Sequence, residues 1–155
     1  MIDKKGPMVT GGKVSGLMEE LRAAGIAVRS DEAPAGPAEL LVVPPPSWGE
    51  AARIAAVCGL RWSAAWGEHR PPEVLVTSLF FGGDGHLLLR TSVAEKNGEL
   101  TSQAHHYPAA CRPERYIQDM FGVTFNDQPD GRRWICHQAW WQLSLIHISE
   151  PTRPY

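Results

Sequence analysis

The sequence predicts an α+β fold, a two-layer domain with helices packed on one face of a mixed β-sheet, and three observations predict it. Apolar residues near the start recur at helical spacing. An alanine-rich helix follows a short apolar run. The middle of the chain then passes into consecutive strand-like runs broken by glycine and proline.

The first helix rests on Val14, Leu17, Met18 and Leu21, whose i, i+3, i+4, i+7 spacing lines one helical face, with Gly25 as its stop. Residues 1–12 have no periodicity and form a flexible start. "IAVRS" is a short strand, "DEAPAGPAE" a loop by its Pro and Gly, and "LLVVP" an apolar strand that ends where prolines forbid pairing. Ser47 and Glu50 then read as an S-x-x-E capping box opening a helix that runs to about Cys58, before Gly59. Leu60, Trp62, Ala64 and Trp66 alternate with Arg61, Ser63 and Ala65, the period of a strand with its aromatic face buried. "EVLVTSLFF" and "HLLLRTS", separated by "GGDG", form a hairpin. "VAEKNGELTSQAHHYPAA" is polar and turn-rich, a connecting segment on the surface or against a partner. Successive apolar residues in "LLVV", "VLV" and "HLLL" imply a sheet more buried than one helical layer explains, and so a partner.

A chain of 155 residues, 43% hydrophobic, supports one compact core. Its net charge of −2, without a basic cluster, argues against nucleic-acid binding. No apolar run approaches the ~20 residues needed to span a bilayer, the start lacks a secretory leader, and three widely spaced cysteines, Cys58, Cys111 and Cys136, fit a reducing compartment. The expected location is cytoplasmic. Residues 143–155 fit no periodicity; Leu143 to Arg153 resemble a translated sequencing adapter, so the domain is read over 13–142 with its own C-terminal end truncated.

The richest chemistry lies in "PERYIQDMFGVTFNDQPDGRRW", residues 113–134. Pro113 suits the first helical position, Glu114 the positive end of the helix dipole, and Arg115 an i, i+4 pair with Asp119. Ile117, Met120 and Phe121 make an apolar stripe, Gly122 ends the helix in the left-handed conformation, and "VTF" is briefly extended. "NDQPDG" supplies two turns, after which Arg132 and Arg133 emerge beside Trp134. Exposed ion pairs contribute little to stability. Such charge density therefore has two readings: an internal network in which arginines grip Glu114, Asp119 or Asp130 and pin the loop to the helix, or a docking face for a neighbouring subunit.

These residues carry a resemblance. "YPAACRPERYIQDMFGVTFNDQPDGRRW" resembles the signature of the C-type subunit family of NADH:quinone oxidoreductase, respiratory complex I, through Tyr107, Pro108, Ala109, Ala110, Glu114, Arg115, Asp119, Phe121, Gly122, Val123, Phe125, Pro129, Asp130, Arg132 and Arg133. "GRRWICHQAWW" is more similar to the related N-terminal domain of membrane-bound nickel–iron hydrogenase large subunits of the formate-hydrogenlyase type, and Gln128 stands where complex I members commonly have His.

The resemblance implies a domain without a cofactor of its own, peripheral on the inner face of a bacterial membrane. It would hold a quinone-site or nickel-site large subunit and a small iron–sulfur subunit together for electron transfer. Clusters, and quinone or the nickel–iron centre, would sit in those partners, and neither nucleic acid nor direct membrane insertion is implied. The subunit interface is expected at Glu114, Arg115, Asp119, Phe121, Gly122, Phe125, Pro129, Asp130, Arg132, Arg133 and Trp134. A rival reading is a small metal-binding or thiol-dependent enzyme built on His105, His106, Cys111, Cys136 and His137, although no pair has structural-zinc spacing. Of the tryptophans, Trp48, Trp62 and Trp66 are expected in the core, and Trp134, Trp140 and Trp141 as anchors for a partner.

Overall fold

The computed structural model describes residues 13–31 and 38–135. The first helix is entered through a 3-10 turn, Val14–Gly16, and continues as α1, Leu17–Ala23; Gly25 leaves it at φ +79°. Strand β1, Arg29–Asp31, is exposed throughout, whereas Ile26 and Val28 of the same run are buried just before it. Strand β2 is Glu39–Val42, and Leu40 and Leu41 are buried within it.

A second 3-10 turn, Pro45–Ser47, feeds directly into α2, Trp48–Val57. This turn overturns the expected capping box. Ser47 is already part of it, its amide donating to the Pro44 carbonyl, and its side chain makes no cap hydrogen bond. Glu50 pairs instead with Arg53 on the next turn of the helix, at 2.7 Å. The fully buried face of α2 presents Trp48, Ala51, Ala52 and Ala55.

Strands β3, Arg61–Arg70, β4, Glu73–Gly82, and β5, Gly85–Ala94, form an antiparallel meander. The five-stranded sheet has the order β1-β2-β5-β4-β3, and the β2–β5 pairing is parallel, which makes it mixed as expected. In β4 and β5 every second residue faces the core: Val74, Val76 and Phe80 opposite Val93, Thr91 and Leu87. The alternate residues Leu75, Leu79 and Leu88, like Val42 of β2, are only half-buried. Leucine therefore occupies both faces of this sheet, which explains the near-continuous apolar runs.

One aromatic expectation fails at β3. The register with β4 shifts between Trp62 and Ala64, a bulge that reverses which residues face inward. Beyond it Ala65 packs against the core and Trp66 turns out, 38% exposed. Trp48 is buried and Trp62 partly so, as expected.

The hairpin turn also reaches back to the start of the domain. Asp84 accepts hydrogen bonds from the Val14 amide (2.6 Å), the Ser15 amide (3.1 Å) and the Ser15 hydroxyl (2.8 Å). These donors, led by the Val14 amide, hold its pKa down at about 2, against 3.8 ordinarily. A depressed carboxylate pKa stabilises the fold above the unfolded value, and this contribution is lost as pH falls. The wild-type chain should therefore lose stability between pH 3.8 and about 2. In Asp84→Ala that component should be absent, which urea unfolding at stepped pH will show.

Candidate functional site

The segment expected to serve only as a connection, on the surface or against a partner, is in fact part of the domain's own framework. Its residues Glu99–Thr101 form β6, which pairs in parallel with β7, Thr124–Asn126. Leu100, Ser102, Gln103 and Ala104 are buried. Polarity misleads here because these side chains bond to other parts of the interior. Gln103 Oε1 accepts from Trp62 Nε1 at 3.1 Å and from the Ser78 hydroxyl at 2.9 Å. The Tyr107 hydroxyl donates to the Leu60 carbonyl at 3.0 Å, and the Tyr107 ring meets Phe80 edge-on.

Helix α3 spans Cys111–Phe121, two residues earlier than the expected start at Pro113. A 3-10 turn at Pro108–Ala110 runs straight into it. Pro113 is tolerated because it still lies in the first turn, where amides have no helical acceptor. Ile117 is fully buried, Phe121 packs on the core from one side, and Tyr116 is 42% exposed. Phe121 lies against Gly67 of β3: a Cβ on Gly67 would come within 2.7 Å of its ring, so glycine permits this approach. Gly122 closes the helix at φ +71°, and Phe125 returns the chain to the core, 5% exposed.

Glu114 and Arg115, adjacent on α3, do opposite things. Glu114 points inward, 2% exposed, and its carboxylate accepts from the Ser102 hydroxyl (2.6 Å), the Gln103 amide (2.7 Å) and Gln128 Nε2 (3.2 Å). Desolvation raises its pKa, against the lowering effect of those donors and of His105. Glu114 therefore belongs to the interior, where it ties α3 to the preceding and following segments. The dipole argument predicted its position in the helix and missed its burial.

Arg115, 8% exposed, reaches across to the loop after β7. Its Nη1 donates to Asp130 Oδ2 at 2.9 Å, its Nη2 to the Arg133 carbonyl at 3.1 Å and its Nε to the Arg132 carbonyl. Asp119, its expected i, i+4 partner, reaches the same loop and accepts from the amides of Trp134 (2.8 Å) and Ile135 (2.7 Å). Arg132 grips Asp130 with two hydrogen bonds of 2.8 Å while its side chain stays 84% exposed. These contacts, led by Arg132, hold the Asp130 carboxyl well below the usual carboxylate range.

The internal network thus exists, with the roles redistributed. Arg115 and Asp119 pin the loop to the helix, and Arg132 braces the loop within itself. Arg133, Pro129 and Trp134 face outward. Trp134 is 43% exposed, with the guanidinium carbons of Arg112 and Arg115 at 5.4 and 5.3 Å from its ring centroid. Sequence reasoning missed Ser102, Gln103 and Arg112 as parts of this assembly. No local pattern marks Ser102 or Gln103, since their partner Glu114 lies 12 and 11 residues away.

For the rival reading, no group of three or more His, Cys, Asp or Glu residues is placed to hold a metal among the described residues. Cys136 and His137 lie outside the described residues, as do Trp140, Trp141 and the segment 143–155.

Fold and site together define a domain that holds one basic, aromatic-tipped loop rigidly against a sheet-supported helix. The model of the family described as respiratory-chain NADH dehydrogenase, 30 Kd subunit, matches residues 43–153. The chain belongs to that family. Two solved structures similar to it are a trypsin-resistant fragment of Nqo5, at 20% identity and TM-score 0.60, covering 76% of this chain and 98% of that one, and a chain of the membrane-bound sulfane sulfur reductase, an archaeal respiratory membrane complex, at 16% identity and TM-score 0.63, covering 80% and 77%. At these identities the two structures support the fold. No curated protein matches.

Proposed function

We propose that the chain is a structural docking domain of a membrane-associated respiratory redox complex, and that its loop at 130–135 clasps the neighbouring subunits. Membership of the 30 Kd subunit family supports the assignment to such a complex. Its partners are the large subunit that carries the quinone or nickel site and the small iron–sulfur subunit. The domain binds no redox centre itself, sits on the cytoplasmic side, and aligns its partners for electron transfer. Among the described residues no helix is long and apolar enough to cross a membrane, which suits a peripheral role.

One observation carries the docking reading: the loop backbone is held by Arg115 and Asp119 while Arg132 and Trp134 project from it, 84% exposed at the side chain and 43% exposed respectively. A preorganised loop loses little entropy on association, and Arg and Trp are the residue types that dominate interface energetics.

The test is Arg132→Ala with Arg133→Ala in the tagged full chain, purified from membranes of the source cell. The large and iron–sulfur subunits, identified by mass and by their cluster signals, should be lost from the purified complex. Both side chains are exposed and Arg115 still holds Asp130 and the loop backbone, so the isolated chain should stay folded, with thermal unfolding close to that of the wild type. Retention of both subunits at wild-type ratio would reject the docking role.

A further inference from the structure

A cleft opens beside the anchored loop. It is an open depression of about 300 Å³, lined by Ala65 of β3, Arg112, Pro113 and Tyr116 of α3, and Trp134. Its walls are of two chemistries. Pro113, Tyr116 and Trp134 offer apolar surface, and Tyr116 and Trp134 are two of the few large hydrophobic side chains left exposed. Arg112 supplies charge at the same site, with its guanidinium beside Trp134.

The charge is unbalanced there. Asp119 is occupied by the Trp134 and Ile135 amides and Asp130 by Arg115 and Arg132. Among the described residues neither Arg112 nor Arg133 has an ion-pair partner. A chain of net charge −2 thus presents one uncompensated cation, Arg112, in an aromatic recess, and a second, Arg133, on the exposed residue that precedes Trp134. The missing complement is a carboxylate beside an apolar group.

We infer that this cleft is a socket for one large apolar side chain of a partner polypeptide, carried on an extended acidic segment whose carboxylates meet Arg112 and Arg133. The inference rests on the docking reading above and adds the chemistry of the partner. The cavity holds a side chain of leucine or phenylalanine size, stacked on Trp134 and Tyr116. Flanking glutamates or aspartates complete the guanidinium pairing that the chain itself leaves open.

The probe is a fluorescein-labelled nonapeptide with leucine at its centre and four glutamates on each side, titrated by anisotropy into the full chain at low salt. Controls replace the central leucine by glycine or every glutamate by lysine. Saturable binding is expected, weakened about tenfold or more by Trp134→Ala and by Arg112→Glu. Both control peptides should bind worse by a similar factor. Circular dichroism of each variant confirms that it is folded.

The inference is overturned if the acidic peptide fails to saturate or if the glycine-centred peptide binds equally well. It also falls if binding appears only after truncation behind Ile135, which would make the chain's own following segment the occupant. A Trp134-dependent homodimer by light scattering would assign the socket to a second copy instead. Failure of the peptide, with Arg132 and Arg133 still required for recovery of the complex, would remove the socket and leave the docking reading in place.

Discussion

Replacing Arg115 by alanine is expected to destabilise the domain by about 2 kcal/mol and to release the loop at 130–135 from α3. The side chain is 8% exposed and donates to Asp130 and to the carbonyls of Arg132 and Arg133. Its removal leaves Asp130 with Arg132 alone and both carbonyls without this donor, and takes one of two guanidiniums from the Trp134 ring. Arg115→Lys should recover little, because a single ammonium cannot reproduce a planar fork that reaches three acceptors. Urea denaturation measures the loss, and trypsin reports the loop: cleavage after Arg132 and Arg133 should be much faster in Arg115→Ala than in the wild type. A loss below about 0.5 kcal/mol, within the range of ordinary surface substitutions, would show that the loop is held by something else.

Glu114→Ala should cost about 2–4 kcal/mol, because it strands the buried Ser102 hydroxyl and Gln103 amide and leaves a void beneath α3. A more specific result is expected of Glu114→Gln. Burial raises the pKa of this carboxyl above 4.5, so the folded state holds the proton more tightly than the unfolded chain does. The contribution of Glu114 is therefore most favourable below 4.5 and is lost as pH rises through the folded value. Gln keeps the volume and does not ionise. Relative to wild type, Glu114→Gln should be more stable at about pH 7 than at about pH 4.5, measured by urea unfolding at both. A difference that is flat in pH, or slopes the other way, would mean that the three donors outweigh burial.

Most of the fold was legible because it follows from periodicity. The α1 stripe, the left-handed glycines at 25 and 122 and the hairpin across residues 82–85 all declare themselves within a few residues of chain. What was not legible depends on long-range partners. The Ser47 box failed because three preceding prolines wind a 3-10 turn there. The inward face of β3 was misread past Ser63 because a bulge shifts the register, and nothing in the alternation of tryptophans announces one.

The candidate site shows the same division. The density of charge in α3 and its loop was visible, as was the choice between a network and a docking face. The assignment of partners was not, since Arg115 and Asp119 are one turn apart yet both turn to a loop 15 to 18 residues further on. Ser102 and Gln103 looked like linker residues because their polar atoms, in the absence of the fold, have no visible use.

The parallel pairing of β6 with β7 clasps the chain on both sides of α3, through Thr124 N to Gly98 O at 2.8 Å and Ser102 N to Asn126 O at 2.9 Å. Residues 103–123 therefore form one excursion whose two ends are fastened side by side. Whatever opens the β6–β7 pairing must therefore free helix α3 at both of its ends at once.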